Sequence, residues 1–392
     1  MAEGRIRFGV IGAAGTIGST HIKAVRDNPD LAELVAISDV NEAKLLPLAK
    51  ELGVKAYTND KRLCRDKNVD AVMLGTPHPL HPAEALAAFA AGKHVLTEKA
   101  IAGRLSQGIK MVEAAKKANL KLGVCFQHRL NPKTLKAVEL VAGGKVGRML
   151  RVVCEDTAYK SEFYYDSGAW RGTWKGEEGG VLVNQAPHPI DIMLKLTGMP
   201  KRVTAVCRAQ IHDNIEVEDV ASAILEYANG AQGIVHFNTT TVPRASRTEI
   251  YGTHGAISIT PDAIRFWRIE PSIDRQVKEY KGPNIYESPK TIEEPLSLPE
   301  HRQGHAALVE NFCKAILHGE PLVCPGEEGL WSLEFANALL LSSYTGKPVD
   351  LPLDPAVYDR LMKKLQKAGK DAAHRPLQPS PLAAKPKPQA PN

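Results

Sequence analysis

Residues 179–191 read Gly-Gly-Val-Leu-Val-Asn-Gln-Ala-Pro-His-Pro-Ile-Asp and carry a carboxamide, an imidazole and a carboxylate at Asn184, His188 and Asp191. Spaced i, i+4, i+7, these three read as one face of one helix. A polar stripe directly after a Gly-Gly pair suits a face lining a pocket where protons move. Imidazole titrates near neutral pH, which makes His188 the candidate general base. Asp191, one turn on, would orient His188 or bind a hydroxyl, and Asn184 would donate to a neighbouring hydroxyl. The structural alternative for His188 is a core histidine bonded to backbone.

A second group of residues suits a nucleotide. Gly12-Ala13-Ala14-Gly15-Thr16-Ile17-Gly18 follows an apolar run and opens a helical one. Such glycines let the backbone approach a pyrophosphate, and the helix start offers free N–H groups to it. Asp39 ends the next strand, where a carboxylate accepts from a ribose 2′-OH and repels a 2′-phosphate. NAD is therefore expected over NADP. Asp39 as a turn or N-cap residue is the bland alternative.

Thr76-Pro77-His78-Pro79-Leu80-His81 and Glu98-Lys99-Ala100 each follow a short apolar run. In a doubly wound sheet both emerge at the carboxyl edge, where ligands bind. Lys99 alone would pass for a surface lysine. Trp170, Arg171 and Trp174 form a plausible sugar platform, with indole faces on C–H surfaces and guanidinium donors for hydroxyls. They read equally as core aromatics and a surface ion pair. His301 and His305 are four apart, but no H-E-x-x-H pattern accompanies them and no metal is expected. His305 would instead reach the sugar site.

The elements that must position these groups follow an α/β rhythm at first. Strands are expected over 5–11, 34–38, 71–75, 94–97 and 122–126, and helices over 16–28, 41–52, 81–91 and 106–118. This is the pattern of a parallel sheet with helices on both faces. After one helix at 133–142 it gives way to strand runs at 148–154, 203–209, 220–227, 233–241, 248–251, 256–259 and 264–267. These imply a mostly antiparallel sheet, with Asn229-Gly230 as a hairpin turn. Residues 270–300 read as irregular, 304–317 and 330–343 as helices. The expected division is 1–128 as a dinucleotide-binding domain, 129–370 as a substrate and oligomerisation domain, and 371–392 as a disordered Pro-rich tail.

At 392 residues, 43% hydrophobic and 24% charged with a formal charge of +6, the chain fits a two-domain globular protein. Scattered Lys and Arg leave no nucleic-acid footprint, and no apolar run is long enough to span a membrane. Six widely spaced cysteines and the absence of a signal-like start imply a cytoplasmic protein with reduced thiols.

Together the glycine turn, Asp39, Thr76-Pro77 with His81, Glu98-Lys99 and residues 179–191 resemble the family named for glucose–fructose oxidoreductase and inositol dehydrogenase. The segments 170–174 and 325–329 are similar to its sugar-active bacterial branches. The resemblance implies an N-terminal Rossmann domain and a C-terminal α/β domain with a large, open, mainly antiparallel sheet used for homo-oligomer contacts (dimer or tetramer). Lys99 and His188 match the family's conserved lysine and catalytic histidine. Gly12, Ala13, Ala14, Gly15, Thr16, Ile17, Asp39, Thr76, Pro77, His81, Glu98 and Lys99 would hold the cofactor. Trp170, Arg171, Trp174, Asn184, His188, His305 and Lys99 would meet the substrate. Three departures stand out. Ala100 replaces the usual proline, the glycine turn has one extra residue with Ala14 at the usual second-glycine place, and Asn184 stands where inositol dehydrogenases have aspartate.

The implied reaction is NAD-dependent oxidation of a secondary hydroxyl on a sugar, glycoside or cyclitol, or its reversal. His188 would take the proton and Lys99 would stabilise the developing alkoxide. Two alternatives stay open: an NAD-using glycosidase or epimerase working through a transient 3-keto sugar, and a non-catalytic sugar or nucleotide sensor. Hence His188 is expected near Lys99 in space.

Overall fold

The computed structural model describes residues 4–372. Its first sheet is built from β1 (Ile6–Ile11), β2 (Ala32–Ser38), β3 (Lys55–Tyr57), β4 (Ala71–Leu74), β5 (His94–Thr97) and β6 (Leu122–Val124). All pairings are parallel, in the order β3-β2-β1-β4-β5-β6. The short apolar runs form parallel strands because helices cover both faces; β4 and β6 are buried throughout. β1 lies between β2 and β4, so the chain reverses its winding there, and the turns after β1 and β4 meet over one crevice.

The second sheet has nine strands: β7 (Met149–Thr157), β8 (Arg202–Arg208), β9 (Val220–Glu226), β10 (Gln232–Asn238), β11 (Ser246–Gly252), β12 (Gly255–Ile259), β13 (Ile264–Glu270), β14 (Lys290–Glu294) and β15 (Val349–Asp350). Its order is β14-β13-β12-β11-β7-β10-β9-β8-β15, antiparallel except for β7 against β10. The Asn229-Gly230 turn joins β9 to β10, with Gly230 at φ +84° as such a turn requires. Residues in β8 and β9 alternate strictly between the core and the open face. Val203, Cys207, Ala221, Leu225 and Phe237 point inward and pack with Phe335, Leu339 and Tyr358.

Three stretches of the chain depart from the sequence reading. The segment 270–300 is not irregular throughout: it holds a helix, Ile273–Glu279, and the edge strand β14. Both are largely exposed, so neither shows an apolar periodicity. β3 and the helix Asp60–Cys64 add to the first sheet, and a helix at Pro355–Ala368 closes the second core. The expected tail from 373 onward lies outside the described residues; 371 and 372 end a short turn, Gly369–Ala372.

The chain also returns to its beginning. The helix Gly304–Leu317 packs on the helix Thr16–Arg26, and its Ala307, Leu308, Phe312 and Cys313 join the core of the first sheet. Phe312 meets Phe8 of β1 with ring centroids 6.3 Å apart. The helix Gly326–Thr345 then lies against both the helix Leu105–Ala118 and β8. Among the described residues no helix is long and apolar enough to cross a membrane.

Candidate active site

The glycine turn lies at the carboxyl end of β1. Gly12 has φ +78°, and a Cβ there would come within 2.8 Å of the Gly75 carbonyl carbon. At Gly18 a Cβ would meet the Ala13 carbonyl oxygen at 2.4 Å. The helix begins at Thr16 with no side-chain cap and no acidic residue in its first turn; the Gly18 N–H bonds back to the Gly15 carbonyl at 3.1 Å, which leaves the N–H groups of Thr16 and Ile17 for a pyrophosphate. Asp39 accepts from the Ala14 N–H at 2.9 Å and from the Asn41 N–H at 2.9 Å. The turn is thus tied through Ala14 to Asp39, whose carboxylate keeps lone pairs for a ribose. This cradle fits a dinucleotide: close backbone, free N–H groups and an acceptor at the second strand end.

Thr76 donates to Glu84 at 2.6 Å, and burial pushes the Glu84 carboxyl up to about 7. His81 does not face a ligand. It is fully buried between the Ala100 and Thr76 carbonyls, at 3.0 and 2.9 Å, and so pins the turn after β4 to the segment after β5. Burial lowers it to about 4. His78 is likewise buried and contacts the Glu177 carbonyl.

Glu98 accepts from His21 at 3.0 Å and from His305 at 2.8 Å, and its second oxygen takes the Lys99 N–H at 3.2 Å. Burial works to raise this carboxyl, but the two histidines outweigh it and hold it well below its usual range. His305 therefore braces Glu98 rather than reaching a sugar. With Cys125 these groups bring four ligand-type atoms within 4.8 Å, though the His–Glu spacings are those of hydrogen bonds. His301 is exposed and turned to the Arg302 carbonyl.

Residues 179–191 do not form one helix. A short piece, Val181–Asn184, ends where Ala186 N–H bonds back to Val181 at 2.8 Å, and a new helix runs over Pro187–Thr197. Pro187 and Pro189 have no N–H to continue the first ladder, and Pro187 takes the first position of the second helix. The break separates the three polar groups. Asn184 and His188 line a cavity of about 540 Å³ together with Lys99, Tyr164, Gln185 and His128. Asp191 points the other way: 1% exposed, it accepts from Arg129 Nε at 2.8 Å and Nη2 at 2.6 Å. Arg129 also meets Glu328, from the 325–329 segment, and the Val323 carbonyl. Asp191 is therefore a structural partner, not the orienter of His188.

Lys99 lies two residues beyond the end of β5, and its peptide with Ala100 is cis. Its ammonium donates to the Asn184 carbonyl at 3.0 Å, and burial lowers its pKa. His188 stacks on His128 at 4.1 Å and meets the edge of Phe126 at 5.7 Å. Burial, then the charges of His128 and Lys99, hold His188 well below its usual pKa, which favours the neutral imidazole. Its Nδ1 has no partner among the described residues, and Gln127 lies 3.5 Å from its Nε2.

Asn184 spends its NH2 on Glu177 and on the Tyr164 hydroxyl at 3.3 Å. Its Oδ1, rather than a donor, is the atom left for a substrate hydroxyl. Burial raises Glu177 to about 7. Arg171 lies between Trp170 and Tyr164, 4.4 and 4.3 Å from their rings, and donates to the Tyr164 hydroxyl at 2.5 Å. Tyr164, which the sequence reading missed, is the aromatic that reaches the cavity. Trp174 does not: it is 0% exposed and packs edge-on to Tyr344 in the core. Tyr164 sits on a five-residue helix, Glu162–Asp166, and Gln127 and His128 on a single 3₁₀ turn, Gln127–Leu130, both too short to carry a periodic signal.

Two family models match this chain. Residues 6–126 match the oxidoreductase family with an NAD-binding Rossmann fold, and 134–258 match the GFO/IDH/MocA C-terminal domain. The myo-inositol 2-dehydrogenase of Thermotoga maritima is 27% identical over 336 residues, 84% of this chain and 93% of that protein. The 1,5-anhydro-D-fructose reductase of Ensifer adhaerens is 27% identical over 350 residues, 88% of this chain and 98% of that protein. Among solved structures, the WlbA dehydrogenase of Bordetella pertussis in complex with NADH and UDP-GlcNAcA superposes with a TM-score of 0.77 at 30% identity. The match covers 89% of this chain and all of that one. With both domains matched, the chain belongs to the GFO/IDH/MocA family of NAD-binding oxidoreductases.

Proposed function

We propose that this enzyme interconverts a secondary hydroxyl and a ketone on a sugar or cyclitol. The observation that carries the reading is the shared cavity: Lys99 and His188, far apart in sequence, both line it. When bound, the nicotinamide supplies the acceptor or donor of hydride. The neutral His188 takes the hydroxyl proton in oxidation and returns it in reduction. Lys99 has one ammonium hydrogen on Asn184; its others stabilise the negative charge that develops on the same oxygen. Tyr164 and Asn184 Oδ1 orient a neighbouring hydroxyl. The named activities of the Thermotoga and Ensifer relatives, and the UDP-GlcNAcA bound by the Bordetella dehydrogenase, support this substrate class.

The test is spectrophotometric. Purified enzyme with NAD and a panel of pyranosides and inositols should produce NADH. Silence across the panel from enzyme that still binds NADH overturns the reading. Glycoside cleavage needing only catalytic NAD would move the enzyme to the transient-oxidation class.

The open face of the second sheet carries Val206, Ile224 and Ile234, each more than half exposed, with Ile224 directly beside Ile234. This apolar strip supports a homo-oligomer formed through the sheet. All six cysteines are buried and unpaired, which supports a reducing, cytoplasmic setting.

A further inference from the structure

The cavity is far more cationic than the oxidation of a neutral sugar demands. Five basic side chains line it, Lys99, Lys133, Lys160, Arg244 and Arg247, against one carboxylate, Asp156. For comparison, the whole chain has a formal charge of only +6. They come from separate elements: the turn after β5, the helix Pro132–Ala142, the segment after β7, the loop before β11, and β11 itself. Arg247 is neutralised by Glu155 at 2.7 Å, and Arg244 lies 3.8 Å from Asp156 with its side chain 69% exposed. The three lysines meet no carboxylate among the described residues. Lys133 is held on the Thr260 and Pro261 carbonyls, and Lys160 sits over the Tyr164 ring at 5.1 Å.

One lysine suffices for the reacting oxygen. Further unpaired cations inside a cleft repel one another and lose hydration unless an anion joins them. From this we infer that the substrate is a sugar bearing a phosphate or a carboxylate, with the anion held by Lys160, Lys133 and Arg244 while the reacting carbon faces Lys99 and His188. A cavity of about 540 Å³ has room for both parts. The inference rests on the sugar oxidoreductase reading and narrows it.

The test titrates the NADH-loaded enzyme by calorimetry with D-glucose, D-glucose 6-phosphate, D-glucuronate and UDP-glucose; the last three separate a monoester, a carboxylate and a diphosphate as the source of charge. At least one anionic sugar should bind about ten- to a hundredfold more tightly than glucose. The gap should shrink at high salt and collapse in the double variant Lys160→Met/Arg244→Met, whose NADH affinity stays at the wild-type value. If no anionic sugar exceeds glucose, or if the preference survives both the salt and the double variant, the inference is wrong. The same sugars are then assayed for turnover. Anion-selective binding without oxidation or reduction of any member would leave the charge assignment standing and count against the oxidoreductase reading instead.

Discussion

His188 and Asp191 stand one turn apart on the helix Pro187–Thr197, and their surroundings differ in every respect that matters. Asp191 has a complete set of partners: Arg129 grips both its oxygens, and Arg129 in turn is shared with Glu328. His188 has a ring nitrogen with no partner, aromatic neighbours on one side and a cavity on the other. A buried polar group costs stability unless it is hydrogen-bonded. The fold meets that cost at Asp191 and leaves it outstanding at His188. Polarity and spacing do not separate the two residues; completeness of partnering does.

The sharpest way to break this contrast is to remove each group in turn. His188→Ala or Lys99→Met should lower kcat/KM by about 10²–10⁴-fold while the denaturation midpoint and NADH affinity hardly move. Asp191→Ala should do the reverse, costing about 3–5 kcal/mol of stability by stranding Arg129, read by urea denaturation, with turnover per folded molecule retained. If Asp191→Ala folds normally but is inactive, the assignment of that pair to structure is wrong.

Glu218 lies between these extremes. Its Oε1 accepts from the Gly180 and Leu182 N–H groups at 2.9 and 3.1 Å, while its buried Oε2 has no partner. Burial raises it to about 7 from an ordinary 4.5. The folded state holds this proton longer than the unfolded chain does. The group's contribution is therefore fully present below 4.5 and lost as pH rises through about 7. Glu218→Gln keeps the acceptor and removes the ionisation, so it should exceed the wild type by about 1–3 kcal/mol near pH 8.5 and match it at acid pH. Equal stability at both ends would show that the second oxygen finds water. The smallest effect belongs to Tyr164→Phe. Loss of the hydroxyl that gathers Arg171, Asn184 and Gln185 should raise KM about two- to tenfold and leave stability nearly unchanged.

Much of this was legible in the residues themselves. The short buried strands of the first sheet and the alternating strands of the second announce themselves by apolar period, and the glycine turn by its place between strand and helix. Lys99 and His188 were identified through the resemblance, and both line one cavity. What stayed hidden has physical reasons. The i, i+4, i+7 spacing could not show that Pro187 resets the helix and turns Asp191 inward. Trp174 and Trp170 look alike in sequence and differ only in what packs over them. β14 is an exposed edge with no pattern to read, whereas Asp354-Pro355 did carry a helix-start signal that went unused. Tyr164 and His128 gain their roles from partners distant in sequence, which local spacing does not encode.

The return of the helix Gly304–Leu317 to the first sheet has a practical consequence for anyone who would recombine such enzymes. A fragment cut at the end of β6 carries the whole nucleotide cradle but surrenders Phe312 from beneath β1 and His305 from Glu98. A chimera joined at that one seam would inherit a socket without its buttress. An exchange of cofactor modules must move two stretches of chain together, the first 126 residues and the helix near 310, because physically they are a single part.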